Sequence, residues 1–347
     1  MEYRTLGGTG VRVSTHCLGA MMFGAWGNTD VDECVRVVQA AIDGGINFID
    51  TADVYSNGES EEIVGKALRG RRDEVVLATK VHGEMGSGQN ERGNSRVWIV
   101  REIENSLRRL GTDHVDLYQI HRPEPETHVE ETLSALTDLQ RQGKIRYFGS
   151  STFPGWQLVE AHWAAERHGL SRLRTEQPPY SIFVRQIEHD VLPVAQRYGM
   201  GVLVWSPLCR GWLTGRYRRD AFDDSPDARA QRGRTRGEFV ARQFDTSRPE
   251  NQRKLDLVED LVKIAADAGV SMTHMAIAFT LAYPAVTSAI IGPRTMDQLT
   301  DLLEGADVRL DVAALDAIDR VVPPGTLVDE NDRGFTPWWF DRSASAR

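Results

Sequence analysis

The chain has 347 residues, 41% of them hydrophobic and 26% charged, values that suit a folded chain with a large core and argue against disorder. Its net charge of −9 repels phosphate backbones and anionic lipid, so neither nucleic acid nor membrane is expected as a partner. Cys17, Cys34 and Cys209 lack CxxC spacing and imply neither a disulfide framework nor a zinc site.

The opening MEYRTLGGTG lacks the charged-then-apolar pattern of a signal peptide, and no uninterrupted apolar stretch is long enough to span a bilayer. A cytoplasmic globular protein is expected. Its GGTG lies between two short extended pieces and reads as a hairpin turn. Strand-like runs then follow in order: THCLGA (15–20), NFIDTA (47–52), EVVLATKV (74–81), HVDLYQIH (114–121), IRYFGSS (145–151), RTEQPPY (174–180), GVLVWSP (201–207) and VTSAIIGP (286–293). Several are near-continuous apolar runs, as strands covered on both faces should be. Amphipathic stretches lie between them. VDECVRVVQAAIDGG stops at Gly44 and Gly45. In SEEIVGKAL, Ser60 is placed to cap the first turn, Glu61 and Glu62 suit its positive end, and Ile63, Val64, Ala67 and Leu68 share a face.

Eight strands with following helices predict a closed (β/α)8 barrel, one domain over residues 1–347. An open dinucleotide-binding sheet would want G-x-G-x-x-G after its first strand, where this chain has GAMMFG; no Walker loop occurs either. Two segments break the rhythm. Residues 216–250 carry acids first and arginines after, and follow the seventh strand at the end of the barrel where long insertions often close over a ligand. The C-terminal FTPWWFDRSASAR places Trp338, Trp339 and Phe340 to pack on the barrel.

Chemistry in such a barrel sits where strands end. Collecting polar residues there gives Asp50 after the second barrel strand, Lys80 after the third and His121 after the fourth, with Tyr55 in the loop beyond Asp50. Each alone has an ordinary reading as a cap, an ion pair, loop packing or a core histidine. Together they make a proton relay: an ammonium beside a phenol favours phenolate and should lower its pKa, and a carboxylate keeps the buried ammonium charged. A metal-dependent hydrolase using His82, His114 and His121 is disfavoured, since no H-x-H or HExxH pair is present; no metal is expected.

INFIDTADVYSNGESEEIVGKAL, VVLATKV, LGTDHVDLYQIHRP, LVWSPLCRGWLTGRY and AIIGPRTMDQL together resemble the aldo-keto reductase superfamily, in its bacterial and potassium-channel β-subunit-like branch, over roughly residues 2–325. The resemblance implies a (β/α)8 barrel with a hairpin closing its bottom, an NADPH/NADP+ cofactor, and reversible reduction of aldehydes or ketones, with Asp50, Tyr55, Lys80 and His121 as the catalytic tetrad and Tyr55 as proton donor. It further implies that Trp205 stacks on the nicotinamide and that Ser151, Thr152 and Gln177 hold its carboxamide. Ser206, Pro207, Leu208, Gly211 and Arg216 would wrap the pyrophosphate, with Gly19 and Met21 also near the cofactor. Gly292, Arg294, Gln298 and Asp301 would meet the adenosine end, where a guanidinium suits a 2′-phosphate. Thr152 and Leu302 stand where many relatives have asparagine, with Asp301 as a substitute beside the latter. Arg229 is a candidate from the 216–250 loop to reach the cofactor. Met22, Trp26, Val54, Phe153 and Trp212 are candidates for an apolar pocket mouth. The expected partner is a small carbonyl or alcohol, with a homo-oligomer left open. The competing expectation is an NADP(H)-binding redox sensor or regulatory subunit with little turnover.

Overall fold

A computed structural model of the chain describes residues 1–220 and 242–338. It opens on an antiparallel hairpin, β1 (Tyr3–Thr5) and β2 (Arg12–Ser14), joined through a tight turn at Gly7–Thr9. Gly7 has φ +52°, and a Cβ there would lie 2.6 Å from the Gly201 nitrogen, so only glycine lets the turn seat against the sheet.

Eight parallel strands follow and close into a barrel: β3 (His16–Gly19), β4 (Phe48–Asp50), β5 (Val76–Val81), β6 (Val115–Ile120), β7 (Ile145–Ser151), β8 (Thr175–Gln177), β9 (Gly201–Val204) and β10 (Val286–Ile291), which pairs back to β3. Helices cover its outside: α1 (Val31–Asp43), α2 (Glu59–Ala67), α3 (Arg96–Leu110), α4 (Val129–Arg141), α5 (Gly155–His168), α6 (Val191–Tyr198), α7 (Pro249–Asp267), α8 (Met272–Ala282), α9 (Met296–Glu304) and α10 (Val312–Val321). Local chemistry sets their starts: the side chains of Asp30, Ser95, Ser271, Thr295 and Asp311 accept backbone N–H bonds at the caps of α1, α3, α8, α9 and α10. Among the described residues no single helix is long and apolar enough to cross a membrane.

Side-chain alternation divides the barrel interior into two layers. At the foot, Cys17, Phe48, Ala78, Leu117 and Leu203 pack with Leu6 and Val13 of the hairpin, a stopper whose burial contributes about 2 kcal/mol per large side chain. Two residues further along the same strands the inward positions become Asp50, Lys80 and Gln119, with Gln177 from β8. The apolar foot thus supports a polar layer at the C-terminal rim.

Several expectations need correction. β4, β8 and β9 are shorter than NFIDTA, RTEQPPY and GVLVWSP, because the chain leaves the ladder and turns over the rim. Ser60 does not cap α2, which starts after a left-handed Gly58 with no side-chain cap bond. Its hydroxyl instead donates to Ala20 O (2.8 Å) and lies 2.9 Å from Thr51 Oγ1. Glu61 does lie in the first turn of α2, where it is fully buried and held by Arg109 (2.6 Å) and Thr79 (2.5 Å). Arg229, Trp339 and Phe340 lie outside the described residues; Trp338 meets Phe335 edge-on at 6.0 Å.

Candidate active site

At the rim, β4 and β5 bring Asp50 and Lys80 together: Lys80 Nζ donates to Asp50 Oδ2 (2.5 Å), Thr51 O (2.8 Å) and Tyr55 Oη (3.3 Å). The other carboxylate oxygen, Asp50 Oδ1, accepts from Gln177 Nε2 (2.9 Å) and Gln119 Nε2 (3.2 Å). Lys80 and Asp50 are both almost wholly buried, and a buried ion pair is tolerated only with its remaining polar valences filled, as here.

A sharp turn delivers Tyr55. Ser56 (φ 49°), Asn57 (φ 56°) and Gly58 (φ +94°) are left-handed in succession, reversing the chain between β4 and α2. Gly58 is required there, since a Cβ would sit 2.7 Å from Arg109 Cδ. The turn is pinned to the loop after β3: Ser56 Oγ donates to Phe23 O (3.2 Å) and accepts from Trp26 N (3.1 Å). The Tyr55 ring then meets His121 edge-on at 5.6 Å, with Trp26 at 6.0 Å. All four tetrad residues converge.

Burial pushes the Tyr55 phenol above its ordinary value; Lys80 pulls it back only in part and Asp50 opposes Lys80. The net direction is opposite to the lowering that ammonium proximity alone predicts, because desolvation of the phenolate outweighs the charge beside it. Burial works against the Lys80 ammonium, but Asp50 and then Tyr55 offset it and raise its pKa. Burial, then Arg122 and Lys80, holds His121 well below the usual histidine value, so its ring is neutral at pH 7.

At the same rim, just after β9, the half-buried Trp205 is backed by the C-terminal segment. Val184 bridges Leu327, Arg185 N donates to Thr326 O (2.8 Å), and buried Lys254 ties down Asp329 (2.9 Å) and Asp332 (2.6 Å). That course brings Gly334 (φ +86°) against the indole, where a Cβ would lie 2.5 Å from Trp205 Cζ2. After Trp205 the chain takes left-handed conformations at Ser206, Cys209, Arg210 and Gly211. Ser151 Oγ donates to Gln177 O (2.8 Å) and Thr152 Oγ1 to Ser151 O (2.6 Å); both oxygens can still accept a bond. Arg294 precedes α9, its N–H donating to Gln298 Oε1 (2.8 Å) and its carbonyl accepting from Asn28 (2.8 Å). A Cβ at Gly292 would meet nothing within 4 Å, whereas one at Gly19 would lie 2.6 Å from Ile290 Cγ2, so Gly19 answers a packing need within the barrel.

Other expected residues sit differently. Trp212 is not at a pocket mouth: it is fully buried, stacked on Phe244 at 5.6 Å, with its N–H donated to Gln243 O (3.2 Å). Asp301 faces His274 Nε2 at 3.3 Å, and Leu302 is buried. Met21, Trp26 and Arg216 are exposed, while Met22, Val54 and Phe153 are half-buried. Among the described residues no three His, Cys, Asp or Glu side chains group as metal ligands.

Gln119, Arg122 and Glu176 are absent from the expected set. Gln119 carries a signal in retrospect, as a polar residue two positions before His121 on the same strand face. Glu176 is buried on β8, accepting from Ser150 Oγ (2.5 Å) and Phe153 N (3.1 Å), and burial pushes its carboxyl up to about 8 against those hydrogen bonds.

The model of a family described as "Aldo/keto reductase family" matches residues 17–323. An uncharacterized oxidoreductase, YrpG, of Bacillus subtilis (strain 168) is 40% identical over 337 residues, spanning 94% of this chain and 97% of its own. A probable voltage-gated potassium channel subunit beta of Arabidopsis thaliana is 36% identical over 93% of this chain and 97% of its own. The aldo-keto reductase YhdN of B. subtilis (strain 168) is 38% identical over 88% of each chain.

Proposed function

Since the chain belongs to the aldo/keto reductase family, we propose that it is an NADPH-dependent carbonyl reductase, converting aldehydes or ketones to alcohols reversibly. The observation that carries this reading is the single ammonium that bonds both a buried carboxylate and the phenol of Tyr55.

NADPH, when bound, supplies the hydride. The residues around the rim suit such a group. The Trp205 indole, backed by Gly334, is a flat apolar platform for a nicotinamide, and its buried Nε1 has no hydrogen-bond partner among the described residues. The Ser151 and Thr152 oxygens accept from a carboxamide, the left-handed residues at 206 and 209–211 suit a pyrophosphate, and Arg294 with the N-terminus of α9 suits a 2′-phosphate.

Tyr55, protonated at neutral pH, hydrogen-bonds the substrate oxygen and donates its proton as negative charge develops there. Lys80 stabilises the phenolate left behind, and Asp50 keeps Lys80 charged. Neutral His121 directs the carbonyl oxygen toward Tyr55 by a second hydrogen bond. Trp26, Met22, Val54 and Phe153 offer the apolar side of the opening.

The relative named as a potassium channel subunit supports a second reading, an NADP(H)-binding redox sensor or regulatory subunit with little turnover. Steady-state cofactor consumption over a panel of aryl and aliphatic aldehydes, with NADPH and NADH in parallel, separates the two. Multiple turnovers with NADPH are expected; stoichiometric binding without multiple turnover would leave only the sensor.

A further inference from the structure

Arg122 follows His121 directly, at the point where β6 ends on the rim. Its carbonyl accepts from Asn94 Nδ2 (2.9 Å) and its side chain turns back, Nη1 donating to His121 O (2.6 Å). The guanidinium is half-buried and forms no ion pair among the described residues. Its chain position beside His121 and its charge acting on Tyr55, His121, His82 and Glu176 put it at the same rim as the tetrad.

Among the described residues, none of the nearby acids answers it. Asp50 is committed to Lys80. Glu124 accepts from Asn94 N (2.7 Å) and Thr127 Oγ1 (2.6 Å). Glu176, with a carboxyl pushed up to about 8, is mostly uncharged at neutral pH and already bonded to Ser150 and Phe153. His82 and His121 are shifted toward their neutral forms and bring no counter-charge. Burial accordingly lowers the Arg122 value. A guanidinium left desolvated without an anion is poised to take one, and its remaining N–H donors form the fork that matches a carboxylate.

We propose that Arg122 is a substrate-recognition residue, and that the carbonyl compounds preferred at this site carry a carboxylate that docks on it while the carbonyl oxygen sits between Tyr55 and His121. A single unanswered cation matches a singly charged group, which favours a carboxylate over a phosphate ester. This rests on the carbonyl-reduction reading above, and deepens it.

The test compares 2-, 3- and 4-carboxybenzaldehyde with their methyl esters as substrates for the wild-type protein, Arg122→Gln and Arg122→Lys, with NADPH. The wild type should favour at least one acid over its ester in kcat/KM by about tenfold, the scale of one charge-assisted hydrogen bond, expressed in KM. Arg122→Gln, which keeps a donor for His121 O, should erase that ratio, and Arg122→Lys should keep part of it. No preference in the wild type, or the same ratio in wild type and Arg122→Gln, overturns the proposal. If neither acid nor ester turns over, carbonyl reduction fails as a reading. Calorimetric binding of benzoate then decides the anion site alone: binding to wild type that is lost in Arg122→Gln supports it, and equal or absent binding in both overturns it.

Discussion

A fully buried lysine persists only where its charge is answered, and Lys80 is answered by a carboxylate, a backbone carbonyl and a phenol. Breaking such a pair from one side costs about 3–5 kcal/mol, so Asp50 and Lys80 hold the rim together as well as tuning it. In the proposed reaction Tyr55 is the member whose hydroxyl transfers the proton without carrying the pair. Tyr55→Phe should retain NADPH binding yet lose about 10²–10⁴ of turnover, measured by single-turnover kinetics beside cofactor titration. Because the phenol is raised, the wild type should reduce carbonyls without a Tyr55-dependent loss up to its ordinary value near ~10. Turnover within a factor of two of wild type in the phenylalanine variant would remove Tyr55 as the donor. Asp50, Lys80 and His121 were legible because each is a polar residue at the end of an apolar run. Arg122 and Glu176 were not, since surface charges look the same in a sequence until burial and missing partners set them apart.

Short strands explain where site residues come from. β4 spans three residues, β8 three and β9 four, and the chain just beyond each (residues 51–55, 178–180 and 205–208) bends over the rim instead of extending the ladder. Apolar runs announced the strands but not their ends, because residues lining a site are as buried as those inside a sheet. Trp212 was misplaced for the same reason: an aromatic near a functional loop carries no mark distinguishing pocket from core. The C-terminal segment was legible only as aromatic and then polar; its course over Trp205 depends on Lys254, far away in sequence, clasping Asp329 and Asp332. Gly334→Ala tests that course. A methyl group there must displace the indole or the segment, and the left-handed backbone adds about 1 kcal/mol of strain. Weaker NADPH binding by fluorescence titration is expected, and an unchanged Kd would show that Trp205 needs no backing.

The closed barrel was readable as a whole because eight apolar runs alternate with amphipathic ones, a pattern few other architectures satisfy. Its packing carries an acid liability. His16, on β3, is buried with both ring nitrogens lacking hydrogen-bond partners among the described residues, and burial lowers it to about 4; His162 on α5 is lowered to about 4 as well. Unfolding frees each to titrate near 6.5, so the unfolded chain binds protons that the fold refuses between about pH 6.5 and about 4. Stability is full above that window and falls as pH drops through it. Each histidine accounts for about 2 kcal/mol lost by pH ~5. Urea midpoints for His16→Leu should therefore decline less than wild type between about pH 7.5 and about pH 5. Parallel declines would mean that His16 titrates normally in the folded chain.

With Leu6 and Val13 sealing the foot and side chains filling the interior, the barrel is left to receive ligands at its C-terminal rim. Given the proposed occupants, whatever sits against the Trp205 platform must be in place before the carbonyl compound covers it, and the alcohol must depart before that first guest can leave. A filled cylinder leaves both guests one side of approach, and a single approach enforces a queue.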